Sequence, residues 1–331
     1  MDFENVNLTV SCSPHVRSED STRSIMVDVV IALIPAMIAA VYFFGIRSLC
    51  VIAVSVAACI FFEWAYRKLL KKDCTVGDCS AVVTGVLLAL VCPVTIPYWT
   101  IVIGAFFAIV VVKQLFGGIG ANFLNPALAG RAFLFSYPVL MTTWVAPRTA
   151  LNLIGSNADA VTAATPMAAL HAGVLPEASL MSCFVGSIGG SMGETSAVLL
   201  IAGGIYLVCR KVISARVPLA YILAVAVVAF LFPGENDRLL WTGYQLCSGG
   251  LMLGAIFMAT DYATSPVTKG GQIVYGIGCG LLTMFIRYFG SYAEGVSYAI
   301  LIMNITVLLL DRIGVPKRFG YVKPKKEGAE K

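Results

Sequence analysis

The chain has 331 residues, of which 59% are hydrophobic and 12% charged, with a formal net charge of +5 and a mean hydropathy of +0.87. Soluble domains carry about 25% charged and 45–50% apolar residues. Here 23 Lys/Arg and 18 Asp/Glu are too few to clothe a water-exposed surface of this size. A soluble enzyme domain, a disordered chain and a collagen-like fibre are excluded; the composition is that of an integral membrane protein.

A helix needs roughly 20 mainly apolar residues to cross about 30 Å of hydrocarbon. Ten runs meet or approach that length, at 25–45, 48–66, 80–97, 98–116, 122–144, 182–208, 216–232, 247–264, 272–289 and 295–311. The third and eighth are short and broken by Pro, Gly or Asp. No short segments of alternating polarity point to a β-barrel. The expected fold is therefore an all-α polytopic membrane protein. Met1 to Asp20 is polar and lacks a signal-peptide pattern, so the first helix is expected to act as its own uncleaved insertion signal.

Loop cations set the orientation. Arg67, Lys68, Lys71 and Lys72 follow the second run; Arg210, Lys211 and Arg216 separate the sixth and seventh; Lys269 follows the eighth. Arg312, Lys317, Arg318, Lys323, Lys325, Lys326 and Lys331 follow the tenth. Ten helices with both termini cytoplasmic put all four groups inside. The opposite loops carry only Arg47, Arg148, and Arg238 beside Glu235 and Asp237. The chain then divides into a cytoplasmic segment 1–24, a five-helix half 25–144, an extracytoplasmic loop 145–181, a second half 182–311 and a basic cytoplasmic tail 312–331. The tail fits topology and lipid-headgroup contact, and nothing supports nucleic-acid binding.

Five helices per half make the two halves inverted repeats. Thr84-Gly85 to Pro93-Val94-Thr95 echoes Gly254 to Pro266-Val267-Thr268. Gly117-Gly118-Ile119-Gly120 precedes Asn122 and Asn125, as Gly290 to Gly295 precedes Asn304. Broken helices at corresponding places in inverted halves point to a midplane site.

Each intramembrane acid costs at least about 2.5–3.5 kcal/mol and needs a reason. Asp261 lies at a broken stretch with Thr260, Thr264 and Ser265, oxygen ligands suited to Na⁺ or a carboxylate able to carry a proton. Glu194 is expected within the sixth helix, beside Thr195 and Ser196. Glu63 precedes Arg67 by one turn, so a local ion pair and a place on an ion path are both open. Ten cysteines include no Cys-x-x-Cys pair, so no iron–sulfur ligand set is visible and reduced thiols are expected. His15 and His171 are too few and too far apart to suggest haem or zinc.

The segment Asp159-Ala160-Val161-Thr162-Ala163-Ala164-Thr165-Pro166-Met167 is a small-residue loop whose Thr165 hydroxyl a modifying enzyme could approach; composition alone equally allows an ordinary Thr/Ala loop. It resembles the Asp-x-x-Ser/Thr-Gly-Ala-Thr signature at which a flavin transferase attaches FMN, through a phosphoester, to the last Thr. The match covers Asp159, Thr162, Ala164 and Thr165 and departs at Ala163, where Gly is usual. Other blocks carry the resemblance along the chain: Ser13-Pro14-His15-Val16-Arg17 with Ser21-Thr22, Gly117 to Phe133, Gly193-Glu194-Thr195-Ser196 and Met258-Ala259-Thr260-Asp261. Together they resemble the RnfD family of Rnf complexes, homologous to the NqrB component of the sodium-pumping NADH:quinone oxidoreductase.

The resemblance implies a membrane subunit of a ferredoxin:NAD⁺ oxidoreductase that couples electron flow to Na⁺ or H⁺ translocation. It implies covalent FMN on Thr165, put there by a flavin transferase, and a second non-covalent flavin, riboflavin in the family, between the helices. Asn122 and Asn125 would then either hold a flavin edge or satisfy backbone freed at the Gly117–Asn125 break. Arg131 would neutralise a phosphate or an acid, or snorkel to the interface. No nucleotide-binding glycine fingerprint and no soluble domain are present, so NAD and ferredoxin are expected to be handled by partner subunits, with no activity in isolation. The rival reading is an inverted-repeat transporter or channel without a redox cofactor. It accounts for the helices and buried acids but not for Asp159 to Thr165.

Overall fold

Hydrocarbon offers backbone groups no water to bond, so a spanning chain must satisfy them internally, most simply as helix. The computed structural model describes residues 20–149, 151–153, 165–194, 196–234 and 237–315. Every regular element among these residues is helical. Helix α1 (Thr22–Phe44) opens on a capping box in which Ser21 Oγ accepts from Ser24 N and Ser24 Oγ accepts from Ser21 N. Gly45, with φ +75°, turns the chain into α2 (Ile46–Leu69). These two and α13 (Lys269–Phe289) are long and apolar enough to cross a membrane, with mean hydropathies of 2.4, 2.1 and 1.3.

The other runs are shorter or come in pieces. Helix α3 (Ser80–Leu90) has 11 residues, about 16 Å of rise and half a bilayer core. It ends in a buried irregular stretch, Val91 to Ile96, before α4 (Tyr98–Phe106), which continues as π-helix over Phe107–Gln114. The expected fifth helix is shorter than read from sequence: α5 (Pro126–Leu134) and a single turn, α6 (Pro138–Met141). Within the 145–181 segment lies α7 (Pro166–His171).

The expected sixth helix is corrected more substantially. It is two helices, α8 (Leu180–Val185) and α9 (Ala197–Cys209), on either side of an irregular segment. Glu194 is therefore not helical. Gly186, at φ +110°, stops α8 in the left-handed conformation that glycine tolerates, and Gly189, Gly190 and Gly193 follow it. Helix α10 (Arg216–Leu231) matches the expected seventh run. Helix α11 (Arg238–Cys247) forms where the sequence reading placed a loop between the seventh and eighth runs. The eighth run itself is broken, as its Gly and Asp suggested, into α12 (Leu251–Leu253), a π-helical segment Gly254–Met258 and irregular chain to Thr268. Helix α14 (Val296–Leu310) closes the fold.

The breaks satisfy one another. Gly193 N donates to Leu90 O (2.7 Å) and Met192 N to Cys92 O (3.2 Å), so the broken end of α3 and the chain before α9 share hydrogen bonds. The core is apolar, with Leu33, Leu88, Ile101, Leu253 and Ile300 fully buried. Outward-facing Ile38, Leu223, Phe285 and Leu308 are 61–81% exposed, an apolar surface that suits lipid and not water.

Helices α1 and α9 meet at Gly203, where a Cβ would stand 2.3 Å from Ala32 O. Gly203→Val is expected to push the two apart, at about 1–3 kcal/mol, and to lower the thermal unfolding midpoint of the detergent-purified chain. Ile305→Val, at a position 64% exposed, should leave that midpoint unchanged.

Candidate functional site: two cavities at the ends of a short helix

Helix α5 begins at one cavity and ends at another. At its start, Asn125 Oδ1 accepts from Ala127 N (3.1 Å) and Leu128 N (3.2 Å), and Pro126 fills the first turn, where a missing N–H is harmless. Asn125 Nδ2 donates to Met258 O (3.3 Å), a carbonyl at the end of the π-helical segment. Asn122 Nδ2 donates to Leu124 O (3.0 Å). Across from them the Asn304 amide fits with its NH₂ towards Thr264 O (3.1 Å) and Tyr275 Oη (2.7 Å), and its oxygen towards Asn125 N (3.1 Å). The Asn122 and Asn125 amides thus satisfy freed backbone, one of the two roles open to them.

Asn122 and Asn125 wall a cavity of about 80 Å³, shared with Ser80, Lys113, Thr260 and Asp261. The fold therefore brings together four residues read from sequence, Asn122 and Asn125 in the first half of the chain and Thr260 and Asp261 in the second. Asp261 Oδ2 accepts from Thr264 Oγ1 (3.2 Å), and Thr260 Oγ1 donates to Ile256 O (2.6 Å).

Glu63 sits behind this wall, fully buried. A local Glu63–Arg67 pair is not what forms: Arg67 Nε donates to Gln114 Oε1 (2.9 Å). Glu63 instead accepts from Lys113 Nζ (2.8 Å) and Thr75 Oγ1 (2.7 Å), and Lys113 also donates to Ser80 Oγ (2.6 Å). Sequence reasoning passed over Lys113, although a lysine near the end of the 98–116 run was a charge in need of a partner.

At the other end of α5, a cavity of about 100 Å³ is walled by Arg131, Phe135, Thr165, Glu194, Tyr292 and Glu294, among others. Arg131 is 3% exposed, so it does not snorkel; its partners are acids. Nη2 donates to Glu294 Oε2 (2.6 Å) and Glu194 Oε1 (3.5 Å), and Nη1 to Ser297 Oγ (2.7 Å). Its Nε has no partner among the described residues. Glu294 escaped the sequence reading because it falls in the glycine-flanked stretch before α14, which looked like loop. Rings gather at this end: Phe135 and Tyr292 centroids are 5.4 Å apart, and Tyr292 and Tyr298 stack at 5.7 Å.

Thr165 enters this wall as the N-cap of α7, its Oγ1 accepting from Ala168 N at 3.3 Å. Asp159, Thr162 and Ala164 lie outside the described residues. The chain on either side is held by buried arginines. Arg47, counted from sequence as a loop cation, is 2% exposed. It donates to Val94 O (2.9 Å), Ile96 O (3.2 Å) and Asn152 O (2.5 Å). Arg287 donates to Gln245 O (2.6 Å) and Ser248 O (3.2 Å), and its own carbonyl accepts from His171 Nδ1 (2.7 Å). The nine described cysteines are free, with Cys59, Cys92, Cys183 and Cys279 buried.

Comparison with known proteins shows the family. The sequence profile of the NQR2, RnfD, RnfE family matches residues 9–320. The chain belongs to that family. The D subunit of the Na⁺-translocating ferredoxin:NAD⁺ oxidoreductase complex of Acetobacterium woodii is 49% identical over 328 residues, covering 98% of this chain and 99% of the relative. The D subunit of the proton-translocating ferredoxin:NAD⁺ oxidoreductase complex of Clostridium ljungdahlii is 41% identical, covering 94% and 96%. The D subunit of the ion-translocating oxidoreductase complex of Stutzerimonas stutzeri is 36% identical, covering 91% and 92%. A membrane family accords with the long apolar helices and lipid-suited surface of this chain.

Breaking a buried ion pair by removing one partner costs about 3–5 kcal/mol, whereas replacing both by apolar residues is often neutral. Lys113→Met is therefore expected to lower the thermal midpoint of the purified chain sharply. The double variant Lys113→Met/Glu63→Leu should recover most of the loss. Equal melting of all three proteins would show that the pair carries no such coupling.

Proposed function

We propose that this chain is the flavin-carrying membrane subunit of an Rnf-type ferredoxin:NAD⁺ oxidoreductase that couples electron transfer to Na⁺ or H⁺ translocation. FMN is held through a phosphoester on Thr165. The observation that carries the reading is the position of the Thr165 hydroxyl, on the wall of an aromatic cavity that also holds a buried arginine. Relatives named for this activity support it from a second direction.

The lining of the cavity suits the group, although its volume of about 100 Å³ is below the roughly 300–1,000 Å³ of small-molecule sites. Phe135 and Tyr292 offer ring faces, and the unpartnered Arg131 Nε offers a donor to a phosphate or a flavin carbonyl. Bound there, FMN supplies one- and two-electron transfer; the protein positions it and tunes its electronics. Asp159, Thr162 and Ala164 serve recognition by the flavin transferase. A second, non-covalent flavin such as riboflavin occupies the cavity of Asn122 and Asn125. Asp261 and Thr260 at its wall, with Glu63 behind and Glu194 in the other cavity, belong to the path of the coupling ion.

The proposed topology is ten spans in two inverted halves, 25–144 and 182–311. Both termini (1–24 and 312–331) are cytoplasmic, and the 145–181 loop is outside in the cell membrane. Three packing features support it. Helix α1 lies against α9, and α5 against α14, so corresponding first and last helices meet. The glycine-rich approaches before α5 and α14 each help to wall one cavity. Partner subunits handle NAD and ferredoxin.

Co-expression with a flavin transferase is expected to give a fluorescent band in a denaturing gel, and an FMN adduct on the peptide containing Thr165. Thr165→Ala should abolish both. A dark band, while a known acceptor in the same cells is labelled, would favour the cofactor-free transporter instead. Asn122→Leu is expected to reduce the flavin released on denaturation while leaving the covalent band intact; unchanged release would remove the second flavin from that cavity.

A further inference from the structure

Helices α10 and α13 pack closely where glycines of α13 face α10. A Cβ on Gly276 would stand 2.8 Å from Val217 O, and one on Gly280 2.9 Å from Tyr221 O. One turn further along the same face of α13 the glycine row ends at Met284, and a groove of about 780 Å³ opens between the last turns of the two helices. That volume lies within the roughly 300–1,000 Å³ of small-molecule sites. Val228, Leu282, Met284 and Phe285 line its length, and Trp241 on α11 and the end of α7 close it. It shares no lining residue with the two cavities of α5.

The groove is continuous with the apolar outer surface, on which Phe285 and Phe289 are 61% and 77% exposed. In a membrane protein such a surface meets hydrocarbon. One end of the groove is polar. Trp241 Nε1 donates to Tyr288 Oη (3.1 Å), which donates to Phe232 O (2.8 Å). Tryptophan and tyrosine gather at the level of the headgroups, so this end marks the edge of the hydrocarbon. His171 lies there too, its Nδ1 donating to Arg287 O (2.7 Å), one of the last carbonyls of α13, which lack a helical partner. A carbonyl only accepts, so Nδ1 carries the hydrogen, and the neutral ring presents Nε2 as an acceptor. The ring is exposed, and nothing among the described residues bonds Nε2.

We propose that the groove holds one acyl chain of a membrane phospholipid, whose headgroup donates a hydrogen bond to His171 Nε2. The headgroup is therefore one with a donor, as an ethanolamine ammonium is and a choline trimethylammonium is not. The apolar length of the groove takes the chain, and the level of Trp241 and Tyr288 sets where the headgroup sits. A partner's spanning helix, whose backbone donors are spent internally, fills the apolar length but brings no fixed donor to Nε2. Nothing in this depends on flavin at Thr165, although the lipid lies against the end of α7, whose N-cap is that residue.

The test reconstitutes the full-length chain in vesicles of equal phosphatidylethanolamine and phosphatidylcholine, then extracts it into mild detergent for native mass spectrometry. One retained phospholipid per chain is expected, enriched about 5-fold in phosphatidylethanolamine, the effect of one net hydrogen bond. Ala172→Trp, which fills the groove from an exposed position, should lose the adduct. Leu223→Trp, 64% exposed on α10 but not lining the groove, should keep it. His171→Asn, which retains a donor for Arg287 O and removes Nε2, should keep the adduct and lose the enrichment. No adduct on the unaltered chain, or the same result in both tryptophan variants, overturns the site. Equal retention of the two lipids, or enrichment that survives His171→Asn, overturns the headgroup contact. A diazirine analogue of leucine at position 282, activated in membranes that hold the whole complex, separates the occupants. A phospholipid mass on that peptide is expected; a product with a partner polypeptide or a second copy of this chain overturns the lipid.

Discussion

A backbone amide in hydrocarbon must find its partner inside the protein, and that single requirement organises both cavities. Among the described residues, several stretches leave helical geometry within otherwise apolar runs. The deepest of them are closed by dedicated donors or acceptors. Gly193 and Met192 bond to the carbonyls at the end of α3, Asn125 takes the Met258 carbonyl, and Asn304 reaches Thr264. Polar side chains are concentrated where helices fail, and cavities form where those side chains hold the failing ends apart.

Charge follows the same rule with higher stakes. Lys113 has Glu63, and Arg131 has Glu294. Arg47 and Arg287 instead spend their guanidinium hydrogens on carbonyl oxygens. A planar guanidinium, with five donors in a fixed fork, can gather carbonyls that face different ways, which a lysine ammonium does less well. Arg47 thereby ties the break after α3 to residue 152, and Arg287 ties the chain before α12 to α7 through its own carbonyl. The described flanks of the 154–164 segment are anchored to the bundle on both sides. In the proposed function, that anchoring gives a covalently tethered flavin a fixed cavity to occupy.

Much of this was legible in the sequence because hydropathy and glycine punctuate the chain strongly. The long helices, the broken third and eighth runs, and Thr165, Asn122, Asn125 and Asp261 all stand out in one dimension. What stayed hidden depends on pairing across sequence distance. Lys113 and Glu63 are 50 residues apart, and Arg131 and Glu294 are 163 apart. Nothing local distinguishes such charges from loop residues or from the i,i+4 pair that Glu63 and Arg67 suggested. The break containing Glu194 was hidden for a different reason. Its glycines are apolar enough to sustain the hydropathy of a helix while supplying none of its rigidity, so the run read as continuous.

Helix α5 makes the two cavities one device. Ala127 faces the first and Arg131 the second, four residues or about 6 Å of helical rise apart. Its length cannot drift, because Asn125 fixes its start to the π-helical segment and the ion pairs of Arg131 fix its end to Glu294 and Glu194. Helix α14 runs beside it with a matching pair of contacts, Ser297 to Arg131 at one end and Asn304 to Asn125 at the other. A change of charge in either cavity therefore acts on residues that belong to the same two short helices. If one cavity holds the covalent flavin and the other its non-covalent partner, the electron path and the polar residues proposed for the ion share a single wall. Coupling between them then needs no long-range motion, only a change in which groups along that wall are charged.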